Sequence, residues 1–203
     1  MTDSTLTPAT FVFDSATRAL VRLSARIAAG SESEVRSGVN ETVATETPAR
    51  WVEEVILQSY LFAGFPRALN AAREWRRIEV QGKRHSEVQG KRQSEVQGRR
   101  EQGADFRALG EATCALVYGR FYDKLRHNIV ELHPELDEWM ILEGYGKVLS
   151  RPGLDLVRRE LCIVAACVAA GQDRQLHSHL HGARNVGAPE RAISDTLQAL
   201  DGV

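Results

Sequence analysis

Few cysteines are present in this 203-residue chain, only three. Cys114, Cys162 and Cys167 show neither a C-x-x-C nor a zinc-type spacing, which removes a metal ribbon or a dithiol motif from consideration. The last two lie in the apolar run from Leu161 to Ala170, where a buried reduced thiol is the ordinary reading. Aromatic residues are also scarce, at 6%. With them goes the strand signal: alternating apolar stretches bounded by turns are hard to find. Charge of one sign is lacking as well. The net charge of −1 gives no global pull toward nucleic acid or an anionic membrane. No apolar run reaches the ~18 residues that a membrane-spanning helix needs. The stretch Met1 to Thr10 has no basic-then-apolar leader pattern. The expectation is a soluble, cytoplasmic, all-α protein.

What the chain does have is helix punctuation. Asp14 is placed to cap a helix running through Leu20, Leu23 and Ile27, with Gly30 as its stop. Ser31 can start the next. Thr47-Pro48 reads as a cap followed by proline at the first helical position. Gly64 ends that helix and Pro66 opens another. Further helices are predicted over 105–118, 134–149, 155–170, 172–185 and 189–200, with Arg151-Pro152-Gly153 as a break.

Aligning the chain with itself at an offset of 141 residues pairs Asp14 with Asp155, Arg18 with Arg159, Gly30 with Gly171 and Pro48 with Pro189. Apolar partners agree too, as Ile27 with Val168 and Val52 with Ile193. Matched stops, matched prolines and matched core positions describe one helical-hairpin unit used twice. The expected organisation is a degenerate first unit over 1–75, a linker over 76–104 and a second unit over 105–203.

The linker carries a second kind of repeat. Glu79–Ser86 recurs as Glu87–Ser94 and, altered, from Glu95. A period of eight displaces each unit by about 80° around a helix, so no apolar stripe can form. Eight Lys/Arg stand against three Glu between Arg76 and Arg100. No aromatics interleave the charge as single-strand binding requires, so a solvated linker is favoured over a nucleic-acid arm.

Only the second unit holds polar residues placed for chemistry. Glu160 lies eleven residues before Gly171 and His179 eight after it. In an antiparallel hairpin they sit roughly 16 and 12 Å from the turn, within reach of one another. A carboxylate on one imidazole nitrogen fixes the tautomer and raises basicity at the other. The equivalent positions of the first unit are Ala19 and Gly38. His177 and His181 share a helical face, but neither an H-E-x-x-H nor a cysteine partner accompanies them, and no metal is expected.

These residues reach a family. Arg151-Pro-Gly-Leu-Asp155, Arg159-Glu160-Leu161, His179 and Gly187-Ala-Pro-Glu190 resemble the carboxymuconolactone decarboxylase family, related to alkylhydroperoxidase D. Val55 to Asn70 resembles its closing helices. The resemblance implies an alkylhydroperoxidase D-like helical bundle. No cofactor is expected, and exposed apolar faces on an incomplete second unit point to a homo-oligomer such as a trimer or hexamer-like ring. The family's peroxidase branch uses a Glu, a C-x-x-C and a His. The Glu falls on Glu160 and the His on His179, but the cysteines fall on Gln172 and Gln175, so that disulfide cycle is excluded. Its decarboxylase branch acts on 4-carboxymuconolactone in aromatic-acid degradation. By that resemblance Glu160 and His179 are the catalytic candidates, the partner is a small carboxylic acid or lactone, and Arg151 and Arg159 are available for its carboxylate. A catalytically silent assembly or binding module and, last, a peroxidase using other thiols are the alternatives. The second unit stops where the first continues into further helices. Either the first unit completes it, or another subunit does.

Overall fold

A computed structural model describes residues 11–81 and 105–203. It is all-α among those residues. The N-terminal half carries α1 (Ser15–Ala29), α2 (Glu32–Ala44), α3 (Ala49–Gln58) and α4 (Tyr60–Gln81). The C-terminal half carries α5 (Phe106–Tyr118), a 3-10 turn (Gly119–Phe121), α6 (Tyr122–Leu132), α7 (Pro134–Trp139) and a π-helical segment (Met140–Leu149). It ends with α8 (Leu156–Ala169), α9 (Asp173–Asn185) and α10 (Glu190–Ala199). No helix of the described residues is long and apolar enough to cross a membrane. Helix α4 runs into the stretch read as a linker. The rest of that stretch, with most of the octapeptide repeat, lies outside the described residues, as does the segment 1–10.

The caps form where the residue types place them. Asp14 accepts from the Thr17 N–H at 2.7 Å, and Asp155 accepts from the Arg158 N–H at 2.9 Å. Ser31 and Glu34 close a reciprocal capping box. Both prolines stand one residue earlier than expected: Pro48 and Pro189 are N-caps, and their helices begin at Ala49 and Glu190. The paired glycines differ. Gly171 has φ +64°, the left-handed conformation that closes a helix end, whereas Gly30 is extended at φ −74°. Gly64, at φ 78°, breaks α4 near its start, as read from the sequence.

Two differences have physical causes. The stretch 140–149 winds as a π-helix rather than continuing α-helix. There α5 and the π segment meet at backbone distance: a Cβ on Gly110 would sit 2.1 Å from the Ile141 carbonyl oxygen, and one on Gly146 2.1 Å from that of Phe106. Helix α6 was not foreseen. It has no side-chain N-cap, so its start carries no cap signal, although Tyr122, Leu125, Ile129 and Leu132 recur at helical spacing.

Helix α8 is the centre of the molecule. Every residue from Arg159 to Cys167 is buried. One face joins Leu20, Leu23 and Ile27 of α1 with Val52, Val55 and Ile193 in one apolar cluster. The other, through Ile163 and Cys167, joins Cys114, Val117, Ile141, Tyr145 and Val148. Burying each Leu, Ile or Val contributes about 1.5–3 kcal/mol, which is why this helix alone can organise both halves. Tyr60, Leu61 and Phe62 of α4 pack on that second cluster, so the N-terminal half supplies material to the C-terminal one. Residues 141 apart also meet directly: Arg158 Nε donates to Thr17 Oγ1 at 3.0 Å.

Candidate functional site

The α8–α9 hairpin turns at Gly171 and lays His179 against Glu160. His179 Nδ1 and Glu160 Oε2 are 2.8 Å apart, and the residues are 3% and 0% exposed. A bond of this length inside a dry site is strong and strongly orienting. With Glu160 ionised, Nδ1 carries the proton and Nε2 is left as the working nitrogen. The second carboxylate oxygen, Oε1, is buried with no hydrogen-bond partner among the described residues. An unsatisfied buried carboxylate oxygen is costly, and a ligand group that donates to it would be bound for that reason.

The surroundings of this pair come from five elements, α4, α5, the π segment, α8 and α9. Phe62 of α4 meets the His179 ring edge-on, with centroids 5.5 Å apart and planes at 83°. Gly182, one turn beyond His179, lets the carboxylate approach. A Cβ there would stand 2.6 Å from Glu160 Oε2 and 2.8 Å from Val117 Cγ1. Tyr118 and Tyr145 meet edge-on at 6.2 Å. Cys114 and Cys167 lie within electrostatic reach of Glu160. Burial pushes both thiols up to about 12, with the Glu160 charge adding to it, and burial lifts Tyr118 to about 12 as well. Burial also raises Cys162 far above the usual thiol range. All three cysteines are free and buried, and at neutral pH they are thiols rather than thiolates.

Arg151 and Arg159 are held elsewhere. Arg159, 0% exposed, donates to Glu54 Oε2 at 2.8 Å, to Gln58 Oε1 at 3.1 Å, and to the carbonyls of Leu154 and Arg151. Arg151 also binds Glu54, at 3.0 Å through Nε. Burial opposes ionisation of the Glu54 carboxyl, but the hydrogen bonds from Arg151 and Arg159 outweigh it and hold that group below its ordinary range. Both arginines, read from the sequence as available to a substrate carboxylate, bond Glu54 in this structure. Their guanidinium groups are committed to a partner in the other half of the chain.

Phe62, Gly182 and Glu54 were not singled out from the sequence. Only Gly182 left a signal there, since it stands three residues after His179 and so on the same helical face. Gln172, in one of the two positions where the peroxidase branch has cysteine, is the N-cap of α9. His177 and His181 pack edge-on at 4.8 Å on the exposed side of α9, away from His179. No group of three or more His, Cys, Asp or Glu placed to hold a metal ion occurs among the described residues.

Comparison with known proteins agrees with the geometry in one region. No curated protein and no solved structure matches the chain significantly. The model of the carboxymuconolactone decarboxylase family matches 134–201, from the start of α7 past the end of α10. Residues 134–201, with Glu160 and His179 among them, are thus similar to the carboxymuconolactone decarboxylase family.

Proposed function

We propose that the chain is an acid–base enzyme of the carboxymuconolactone decarboxylase type, with His179 as the proton carrier and Glu160 as the residue that orients it. The observation that carries this reading is the buried 2.8 Å contact between His179 Nδ1 and Glu160 Oε2. The substrate class is a lactone carboxylic acid arising in aromatic-compound degradation. In such a reaction the bond from carbon to the carboxylate breaks, CO2 leaves, and the electron pair passes into a conjugated enolate. His179, protonated, then donates from Nε2 to that carbon and is reprotonated from solvent. Glu160 keeps the ring in the required tautomer and stabilises the imidazolium. In the same reading the two halves are copies of one hairpin unit. The contact between Thr17 and Arg158 supports that, since their numbers differ by the repeat offset of 141.

The test is turnover of 4-carboxymuconolactone by wild type, His179→Ala and Glu160→Gln, with deuterium incorporation from D2O into the product. Loss of a positioned general acid lowers the rate roughly 10²–10⁴-fold, and Glu160→Gln is expected to lie between that variant and wild type. Equal rates in all three proteins would remove the assignment. A second reading, a catalytically silent binding or assembly module of the same fold, draws on the commitment of Arg151 and Arg159 to Glu54. It predicts a folded wild-type protein with no turnover. Completion of the second half by α4 of the same chain accounts for one role that a second subunit would otherwise fill. The homo-oligomer stays part of the proposal, tested by sedimentation.

A further inference from the structure

Beside the buried pair, on the outer side of α9, lies an open cleft of about 640 Å3 between α5, the 3-10 turn, α6 and α9. It is within the size range of small-molecule sites. Arg120, Lys124, His177 and His181 line it, with Tyr118 and Phe121 as its aromatic walls. No acidic side chain among the described residues lines it. A charged cleft of one sign on a chain whose net charge is −1 is a local concentration of positive potential.

The cleft is also built rather than incidental. The Arg120 guanidinium lies over the Phe121 ring at 4.8 Å, which removes freedom that binding would otherwise have to take away. Gly119 turns the chain at φ +51°, and Asn185 Nδ2 donates to the Val117 carbonyl at 2.7 Å. That bond ties the end of α5 to α9 and so sets the width of the cleft. Val117, which lines it, also stands beside Gly182, where a Cβ would lie 2.8 Å from Val117 Cγ1 and 2.6 Å from Glu160 Oε2. His179 itself lies two residues from His177 and from His181, about 200° around the helix, and faces the other way.

We infer that this cleft is a binding site for a small planar organic anion carrying one or more carboxylates. Two cations and two imidazoles supply donors to the carboxylate oxygens, while Tyr118 and Phe121 supply faces for the planar part. The inference does not depend on turnover at His179.

The experiment is a titration of the full chain with phthalate, followed by calorimetry and by the ring-proton NMR signals of His177 and His181. Benzamide and inorganic phosphate serve as uncharged and non-aromatic probes. Saturable binding of phthalate with shifts at both histidines is expected. Benzamide should not bind, and phosphate should bind more weakly than phthalate. Arg120→Gln and Lys124→Gln should each weaken phthalate roughly tenfold or more, the size of a lost charge-assisted hydrogen bond. Absence of saturable binding, or an affinity indifferent to both cation substitutions, would overturn the proposal. Phosphate binding as tightly as phthalate would overturn its planar organic part.

Discussion

Replacing Glu54 by Gln tests the charge network that joins the two halves. The substitution keeps the shape of the side chain and removes only its charge, so no cavity confuses the result. Arg159 is 0% exposed and would then be a buried cation without a counter-charge. It would keep its bonds to Gln58, Leu154 and Arg151, and lose the carboxylate at 2.8 Å. Breaking a buried pair in this one-sided way costs about 3–5 kcal/mol. At 2–4 °C per kcal/mol for a chain of this size, the melting temperature should fall by roughly 6–20 °C. Removing both charges, as in Glu54→Leu with Arg159→Met, should restore most of the loss, because no ion is then left alone. The pH dependence carries the sign. Arg151 and Arg159 lower the Glu54 pKa in the folded state against the burial that raises it, so the folded value lies below the ordinary 4.5. Its contribution is therefore fully present above pH 4.5 and fades as the pH falls below that. The gap between wild type and Glu54→Gln must narrow in that acid range. Thermal and urea unfolding across pH 3–7 measure this. A Glu54→Gln protein within about 0.5 kcal/mol of wild type at pH 7 would refute the reasoning.

Other substitutions bear on the buried pair and its surroundings. Gly182→Ala places a methyl 2.6 Å from Glu160 Oε2, so the carboxylate must move off His179. A loss of about 1–3 kcal/mol and of the downfield Nδ1–H NMR signal is expected, and retention of that signal would contradict the packing described. The three thiols should react with Ellman's reagent at pH 8 only as the protein unfolds, since burial holds Cys114 and Cys167 near 12. A fast stoichiometric reaction of the native protein would show at least one of them to be accessible.

Much of this molecule is legible in its sequence. Asp14, Ser31 and Asp155 are caps by residue type, and each local choice is settled within three or four residues. The meeting of Glu160 and His179 follows from one turn at Gly171 and a constant rise per residue. The fate of Arg159 was not legible, because its counter-charge is 105 residues away on a different helix. Phe62 was hidden for the same reason: an aromatic residue in an apolar run says nothing of which ring it will touch. The π winding of 140–149 escapes a sequence reading because its apolar spacing also suits an α-helix.

The packing of α1 on α8 has a consequence for biosynthesis. Helix α1 ends at Ala29, and α8 is complete only at Ala169, so synthesis separates them by 140 residues. At about 5–20 residues per second, Leu20, Leu23 and Ile27, covered early by Val35, Val39, Val52 and Val55, wait roughly 7–28 s on the ribosome for the part of their surface that α8 covers. Most all-helical domains assemble from near neighbours and fold quickly; this one depends on a late partner, which places it among the slower ones. Its yield in a cell should therefore respond to chaperone supply more than its helix content alone would suggest.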